Sequence, residues 1–111
     1  MMEEKIIRVK AIFEFYKENY RANQPIPCGK GNYRPGHHFS WSTGNESYMG
    51  AVFFPDELDY FYPGSSAEVE INFWADQKLR SELRPGLKWE IKEAQYIVGS
   101  AQLVKVLGEQ H

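Results

Sequence analysis

Apolar residues recur at every second position along much of this chain, and this period constrains the fold more than any other feature. In residues 67–73, small or apolar side chains alternate with two glutamates and an asparagine, and residues 87–92 repeat the pattern with lysines and a glutamate. Successive side chains of a β-strand point to opposite faces, so both stretches predict strands with one buried face. We expect the following residues to face a common core: Ala67, Val69, Ile71, Phe73, Leu87, Trp89 and Ile91.

Four further stretches carry the same alternation. Residues 7–15 predict a long half-buried strand, residues 38–42 a second strand with Phe39 and Trp41 on one face, and residues 49–53 a third with Met49, Ala51 and Phe53 on one face. Residues 96–107 predict the last and longest strand. Gly99 inside it indicates a β-bulge or a close approach of another backbone segment.

Turn-forming residues separate these six predicted strands. Pro35-Gly36, Pro63-Gly64 and Pro85-Gly86 mark turns, and residues 76–83 predict one short helical segment that Pro85 ends. Six antiparallel strands in about 100 residues suit a small barrel, because closure removes exposed strand edges. The sequence therefore predicts an all-β fold, a six-stranded antiparallel barrel with Greek-key-like connections. We expect a single domain over residues 1–111, with the barrel at about residues 6–108.

Composition places the chain among ordinary globular domains. Of its 111 residues, 42% are hydrophobic and 25% are charged, a balance that argues against disorder. Its one cysteine, Cys28, cannot form an internal disulfide, which favours a reducing compartment. The N-terminal residues lack the apolar core of a signal peptide, and no apolar run approaches the roughly 18 residues of a membrane span. These features predict a cytoplasmic location and no membrane contact.

Charge is distributed unevenly along the sequence. The formal net charge is only -2, which gives no global basic field for nucleic acid. Residues 16–38, however, hold four positive charges against one negative, whereas the five charged residues of segment 55–70 are all negative. Within the basic first loop, Arg21, Lys30 and Arg34 are candidates for RNA or anion contacts, because tyrosines lie nearby in sequence.

Six motifs together resemble a known domain in their order and spacing. They are Tyr33-Arg34-Pro35 followed by Phe39 and Gly50; Pro55-Asp56-Glu57-Leu58; Tyr62-Pro63-Gly64; Gly86-Leu87-Lys88-Trp89-Glu90-Ile91-Lys92-Glu93; Val98-Gly99; and Val104-Lys105-Val106-Leu107-Gly108. In this respect the chain resembles the C-terminal, third β-barrel domain of translation elongation factor Tu. The resemblance covers nearly the whole chain and implies a six-stranded antiparallel barrel. In the parent factor that barrel packs on a second barrel, meets the GTPase domain, contributes to binding the exchange factor and touches the T stem of aminoacyl-tRNA.

The chain departs from this family at the positions that carry its nucleotide and tRNA chemistry. It contains neither a phosphate-binding G-x-x-x-x-G-K-[ST] loop nor an Asn-Lys-x-Asp motif, so we expect no nucleotide binding. Arg21 aligns with the family's T-stem contact, but the residues that follow it differ. The family's Glu-Gly-Gly-Arg turn reads Glu93-Ala94-Gln95-Tyr96 here, which removes one phosphate-binding charge and two flexible glycines.

No residue pattern in the sequence predicts catalysis or metal binding. His37 and His38 are adjacent, so a strand would point them to opposite faces, and we interpret them as a solvated pair at a strand start. Cys28 is interpreted as a free thiol in an exposed loop. The carboxylates of Asp56 and Asp59 are interpreted as part of a solvated turn. We therefore predict no catalytic residue, no metal and no cofactor, and a protein that is not an enzyme.

The resulting functional prediction is a non-catalytic interaction module that docks on a protein partner, a component of the translation apparatus. Tyr60, Phe61 and Tyr62 form the candidate protein interface. Two alternatives remain open. One is weak RNA or tRNA binding through the basic first loop, and the other is a barrel that binds a small molecule or acts as an enzyme of unknown type.

Overall fold

The computed structural model describes residues 5–44 and 46–110, whose regular elements are eight β-strands and one short helix. The elements in chain order are β1 (Lys5–Phe15), β2 (Ile26–Pro27), β3 (Gly36–His38), β4 (Tyr48–Phe53), β5 (Tyr60–Phe61), β6 (Ser66–Ala75), α1 (Gln77–Glu82), β7 (Lys88–Glu93) and β8 (Tyr96–Gln110). Six strands close into an antiparallel barrel in the order β1-β6-β4-β3-β7-β8, and β2 pairs with β5 in a separate small sheet. Because the run β3-β4-β6 brings β6 back beside β1, the first strand of the chain, the connection is of the Greek-key type. The predicted fold class is confirmed.

Strand β1 closes the barrel, since it pairs along its length with β6 on one side and β8 on the other. Its alternating residues behave as predicted, and the inward set is fully buried: Ile7, Val9, Ala11, Phe13 and Phe15. Outward residues form ion pairs with β6, with Arg8 at 3.1 Å from Glu70 and Lys10 at 3.3 Å from Glu68. Such exposed pairs contribute little because water screens them, so burial of the inward face stabilises this strand.

Two groups of aromatic rings fill the barrel interior. In one, Phe13 packs against Phe61 at 5.4 Å between ring centroids and stacks on Tyr33 at 6.3 Å. In the other, Phe39 stacks between Trp41 at 4.8 Å and Trp89 at 5.0 Å. The high aromatic content of the sequence is therefore used mainly in the core.

Five of the seven predicted core residues are buried, and the other two lie at the margin of the core. Val69, Ile71, Phe73, Trp89 and Ile91 are at most 3% exposed. Ala67 and Leu87 are partly buried and pack against this cluster. The alternation in β6 and β7 thus identified the inward face of both strands correctly.

The second predicted strand was misplaced. Strand β3 ends at His38, and the chain then turns, with the Ser42 amide donating to the Phe39 carbonyl at 3.0 Å. The Ser42 hydroxyl accepts from the Phe39 amide at 3.1 Å, so a serine side chain replaces the sheet partner that a longer strand would have needed. The aromatic alternation at Phe39 and Trp41 reflects ring stacking across a turn. The sequence marks a turn at Gly44-Asn45, before the next predicted strand, and Asn45 lies outside the described residues.

The inward face of β4 is the opposite of the one predicted. Gly50 and Val52 are buried, whereas Met49 is 54% exposed and Ala51 and Phe53 are partly exposed. A Cβ atom at position 50 would lie 2.8 Å from the His37 ring and 3.0 Å from Phe73. Glycine therefore occupies a core position here because nothing larger fits, and this hid the true face from the hydrophobic pattern.

Two other local predictions are confirmed. Helix α1 begins after Asp76, whose carboxylate accepts from the Leu79 amide at 2.9 Å and so caps the helix. A Cβ at Gly99 would lie only 2.2 Å from the Glu14 carbonyl oxygen, which is the close backbone approach expected from the glycine. No helix in the described parts of the chain is long and apolar enough to cross a membrane.

His37 is the clearest correction, because it is fully buried and not solvated. Trp89 Nε1 can only donate, so it fixes His37 Nδ1 as an acceptor at 2.9 Å; Nε2 then carries the proton and donates to the Gly50 carbonyl at 3.0 Å. Burial lowers the pKa of His37 from 6.5 to about 4, although the bond to Gly50 acts in the opposite direction. The neutral ring is a structural link between β3, β4 and β7.

This buried imidazole predicts a defined pH dependence of stability. Below pH 6.5 the unfolded chain binds a proton at His37, whereas the folded chain does so only near pH 4. The free energy of unfolding should therefore be unaffected by this group above pH 6.5 and fall by about 3 kcal/mol as the pH drops from 6.5 to 4.

The measurement is urea unfolding at several pH values in this window, with His37→Gln as the matched variant. Glutamine offers one donor and one acceptor but does not titrate. In the variant, the free energy of unfolding should not show this fall between pH 6.5 and 4. An equal change with pH in both proteins would show that His37 is not its source.

Candidate functional site

The three candidate basic residues lie in different surroundings. Arg21 is engaged inside the protein: its Nε donates to both carboxylate oxygens of Glu93 at 2.7 and 2.9 Å, and an Nη donates to the Pro25 carbonyl at 3.1 Å. The side chains of Arg21 and Glu93 are only 20% and 12% exposed, respectively. The positive charge of Arg21 is therefore largely neutralised, and two of its three guanidinium nitrogens donate hydrogen bonds.

Glu93 is the centre of a polar network that holds the first loop against the turn between β7 and β8. Besides Arg21, it accepts from the Tyr33 hydroxyl at 2.5 Å and from the Tyr20 hydroxyl. Tyr20 also stacks on Tyr96 with ring centroids 4.5 Å apart. Burial alone would raise the pKa of Glu93, but hydrogen bonds from Arg21 and both tyrosines outweigh it and hold the pKa below its usual range.

Two alanines beside this network adopt left-handed backbone conformations. Ala22 follows Arg21 with φ of 57°, and Ala94 follows Glu93 with φ of 54°. A non-glycine residue in this region costs about 1–2 kcal/mol. The turn at Glu93-Ala94 thus has a backbone conformation that glycine would adopt without strain.

Lys30 lies at a separate cleft of about 780 Å³ between the first loop and residues 53–60. The same cleft is lined by Asp56 and Asp59, so carboxylates flank the lysine. Cys28 also lines it and is partly buried there, not placed in an exposed loop. Burial, aided by the charge of Asp59, raises the pKa of the thiol, which makes it a weak nucleophile.

The predicted aromatic interface is divided between the core and the surface. Phe61 is 2% exposed and packs in the interior, so it cannot contribute to a docking surface without unfolding β5. Tyr60 and Tyr62 are both more than half exposed, with ring centroids 6.5 Å apart. They are the two members of the predicted interface that remain on the surface.

Further exposed apolar side chains lie on the outside of the barrel, where β6 runs between β1 and β4. Trp74 is 52% exposed and lies opposite Ile6 on β1, and the exposed Met49 lies on β4 beside it. Together they line a groove of about 290 Å³. We call this region the Trp74 surface, and its residues are Ile6, Arg34, Met49, Ala51, Phe53, Asn72 and Trp74.

Two polar groups of the Trp74 surface have unused bonding capacity. Arg34 is exposed, and its Nε donates to the Gly31 carbonyl at 3.1 Å, which orients the guanidinium; it has no ion pair with the described residues. The side-chain oxygen of Asn72 is buried and accepts no hydrogen bond from the described residues. A buried acceptor without a donor costs about 1–3 kcal/mol.

Arg34 is the one residue of this surface that the sequence analysis named as a candidate site residue. Trp74 was detectable, because it continues the outward series Glu68, Glu70 and Asn72 at period two. Met49 was placed on the inward face because Gly50 broke the apolar pattern. Glu93 was noted only as part of an altered turn, and its ion pair with Arg21 spans 72 positions in the sequence, which no local pattern reveals.

No group of three or more metal-binding side chains occurs among the residues that the structure describes. The chain matches no model of a known protein family, and a search of curated proteins also finds no match.

The network around Glu93 can be tested by substitution. Glu93→Gln removes the negative charge that balances Arg21, so we expect the free energy of unfolding to fall by about 1–3 kcal/mol. Glu90→Gln, on the same strand, is the control and should change it by less than about 0.5 kcal/mol. Chemical denaturation at pH 7 measures both. Equal effects would show that Glu93 does not anchor the first loop.

Proposed function

We propose that the chain is a non-catalytic interaction module that docks on a protein partner through the Trp74 surface. The observation that carries this proposal is an indole that is 52% exposed beside a methionine that is 54% exposed, on the outside of a barrel whose core is already filled. Tryptophan and arginine are enriched among the residues that dominate binding energies at protein interfaces, and methionine adapts to varied partners. Leaving these side chains in water gains nothing for folding.

The titratable groups with altered pKa values have structural roles, which supports a non-catalytic function. His37 uses both ring nitrogens to join strands, and Glu93 is paired with Arg21. The Cys28 thiol has a raised pKa, which is the opposite of what a nucleophile needs. Catalysis would need a group whose pKa suits proton transfer or nucleophilic attack, and these interactions leave none of the three in that state.

A role in translation, in the cytoplasm, is the biological context we propose. Its support is the resemblance to the third domain of elongation factor Tu in the order of six sequence motifs, together with a barrel of the same strand number. Fold alone does not determine function. The partner is therefore assigned by its binding chemistry, not by that resemblance.

RNA binding is the weaker reading. Arg21, which aligns with the family's tRNA contact, is paired with Glu93, and Lys30 is flanked by acidic residues. A phosphate backbone would have to displace these carboxylates or accept their repulsion.

Protein docking is tested by photo-cross-linking from within the Trp74 surface. A photoreactive phenylalanine analogue at Ala51 keeps Trp74 intact and should form a discrete protein adduct in native cytosol. The adduct should disappear with Trp74→Ala, and the same analogue at Tyr62 should not form it.

The partner identified in this way is then titrated by calorimetry. Trp74→Ala should weaken binding by about 2 kcal/mol or more, roughly 30-fold, because an interface tryptophan is a typical hot spot. Tyr62→Ala, an equally exposed aromatic, should change the dissociation constant less than twofold. Loss of binding with Tyr62→Ala but not with Trp74→Ala, or no adduct from position 51, would contradict the proposal.

The RNA reading has its own test. We expect no tRNA affinity tighter than the non-specific range of about 10⁻⁴ to 10⁻⁶ M at physiological salt. A gel-shift titration with total tRNA at about 150 mM salt measures it. Saturable submicromolar binding that is lost with Arg21→Ala would favour RNA over a protein partner.

A further inference from the structure

The Trp74 surface continues into a second groove on the other side of Arg34 and Met49. This second groove has a volume of about 470 Å³ and is lined by both of these residues together with Tyr33, Ser47 and Glu93. Arg34 and Met49 therefore form a low ridge shared by two depressions, one beside Trp74 and the other beside the turn between β7 and β8. A ligand longer than one side chain can occupy both.

From this arrangement we infer that the partner presents a short peptide segment in which a large apolar side chain is close to a carboxylate. The apolar side chain fills the groove beside Trp74, and the carboxylate binds Arg34 on the ridge. This inference rests on the proposed function and specifies the chemistry of the partner at the same surface.

The charges around the ridge select an acidic group. The Arg34 guanidinium is oriented by its bond to the Gly31 carbonyl, and its η nitrogens keep the fork of donors that matches a carboxylate. Among the residues that the structure describes, the only carboxylate lining either groove is Glu93, and Arg21 already pairs with it. No described carboxylate therefore competes with the incoming acid for Arg34.

The groove beside Trp74 selects the apolar anchor. Ile6, Met49 and Trp74 supply its apolar walls. Burying an exposed indole and thioether against an aliphatic or aromatic side chain provides most of the binding free energy. The carboxylate contact at Arg34 adds register and discrimination against basic segments.

Asn72 adds a third element to the lining of the same groove. Its side-chain oxygen is buried and accepts no hydrogen bond from the described residues, so a donor reaches it only if neighbouring side chains shift. Binding of an N–H group there, from the peptide backbone or a side chain, removes the cost of the unsatisfied acceptor. This contact favours a peptide over a purely apolar ligand.

The probe for this inference is a displayed library of random 12-residue peptides. It is selected on the wild-type chain and counter-selected on Trp74→Ala. Enriched sequences should pair an aromatic or large aliphatic residue with Asp or Glu a few positions away. A synthetic peptide from this set is then titrated against wild type, Arg34→Gln and Lys30→Gln.

Arg34→Gln should weaken binding about tenfold, as expected for loss of a charge-assisted hydrogen bond, and the loss should shrink at high salt. Replacing the carboxylate of the peptide with an amide should weaken binding to the wild-type chain by a similar factor. The same replacement should change binding to Arg34→Gln little, because both substitutions remove the same contact. Lys30→Gln removes an exposed cation outside both grooves and should change affinity less than twofold.

Three results would overturn the inference: no peptide that depends on Trp74, selected peptides without acidic residues, or equal binding by wild type and Arg34→Gln. None of these decides the proposed function, because the cross-link from position 51 tests it without any assumption about peptide chemistry. The opposite outcome can also be distinguished. Acidic peptides that require Trp74 and Arg34, found together with no cross-link from position 51, would support this inference and contradict the proposed function.

Discussion

The structure depends on the pairing of β1 with two neighbours at once. Its hydrogen bonds to β6 and β8 turn a row of six strands into a closed barrel, and its inward side chains form one wall of the core. Closure satisfies the backbone groups that an open sheet would expose at its edges. Under the docking function proposed above, closure disfavours the addition of a strand to the barrel, so a partner would bind side chains on its outer face, such as the exposed Trp74.

A second constraint links the core to that outer face through the first loop. Tyr33 is anchored twice, since its hydroxyl donates to Glu93 at 2.5 Å and its carbonyl accepts from the Val52 amide at 2.9 Å. Arg34 follows directly and is held further by its bond to the Gly31 carbonyl. The ion pair between Arg21 and Glu93 keeps the start of the same loop in place. The negative charge of Glu93 thus helps to position a positive charge that remains available on the surface.

The period-two pattern was sufficient to predict the barrel and the buried faces of β1, β6 and β7, because the buried positions of these strands are apolar apart from Lys92 in β7. It was insufficient where chemistry departed from that rule. Gly50 and His37 occupy core positions although neither is a typical apolar core residue. The His37 ring fills the space that a side chain at position 50 would need, which explains the glycine. The short pairing of β2 with β5 involves two residues per strand, too few to leave a pattern.

The candidate site was less predictable than the fold. Arg34 was identified from local charge, but the groove beside it is formed by residues from β1, β4 and β6, which are distant in sequence. The predicted interface at residues 60–62 failed as a unit because Phe61 is needed in the core. Surface patches of this kind depend on register between strands, and a single sequence without a fold does not specify register.

The most direct test of the account uses the methyl group of Met49. The chain has three methionines, and the other two are at positions 1 and 2, so methyl-labelled protein gives few signals, and Met49→Leu assigns the one of interest. Addition of the purified partner is predicted to shift the Met49 methyl resonance saturably, with the same dissociation constant as calorimetry. Full binding of the partner with an unchanged Met49 signal would contradict docking at the Trp74 surface.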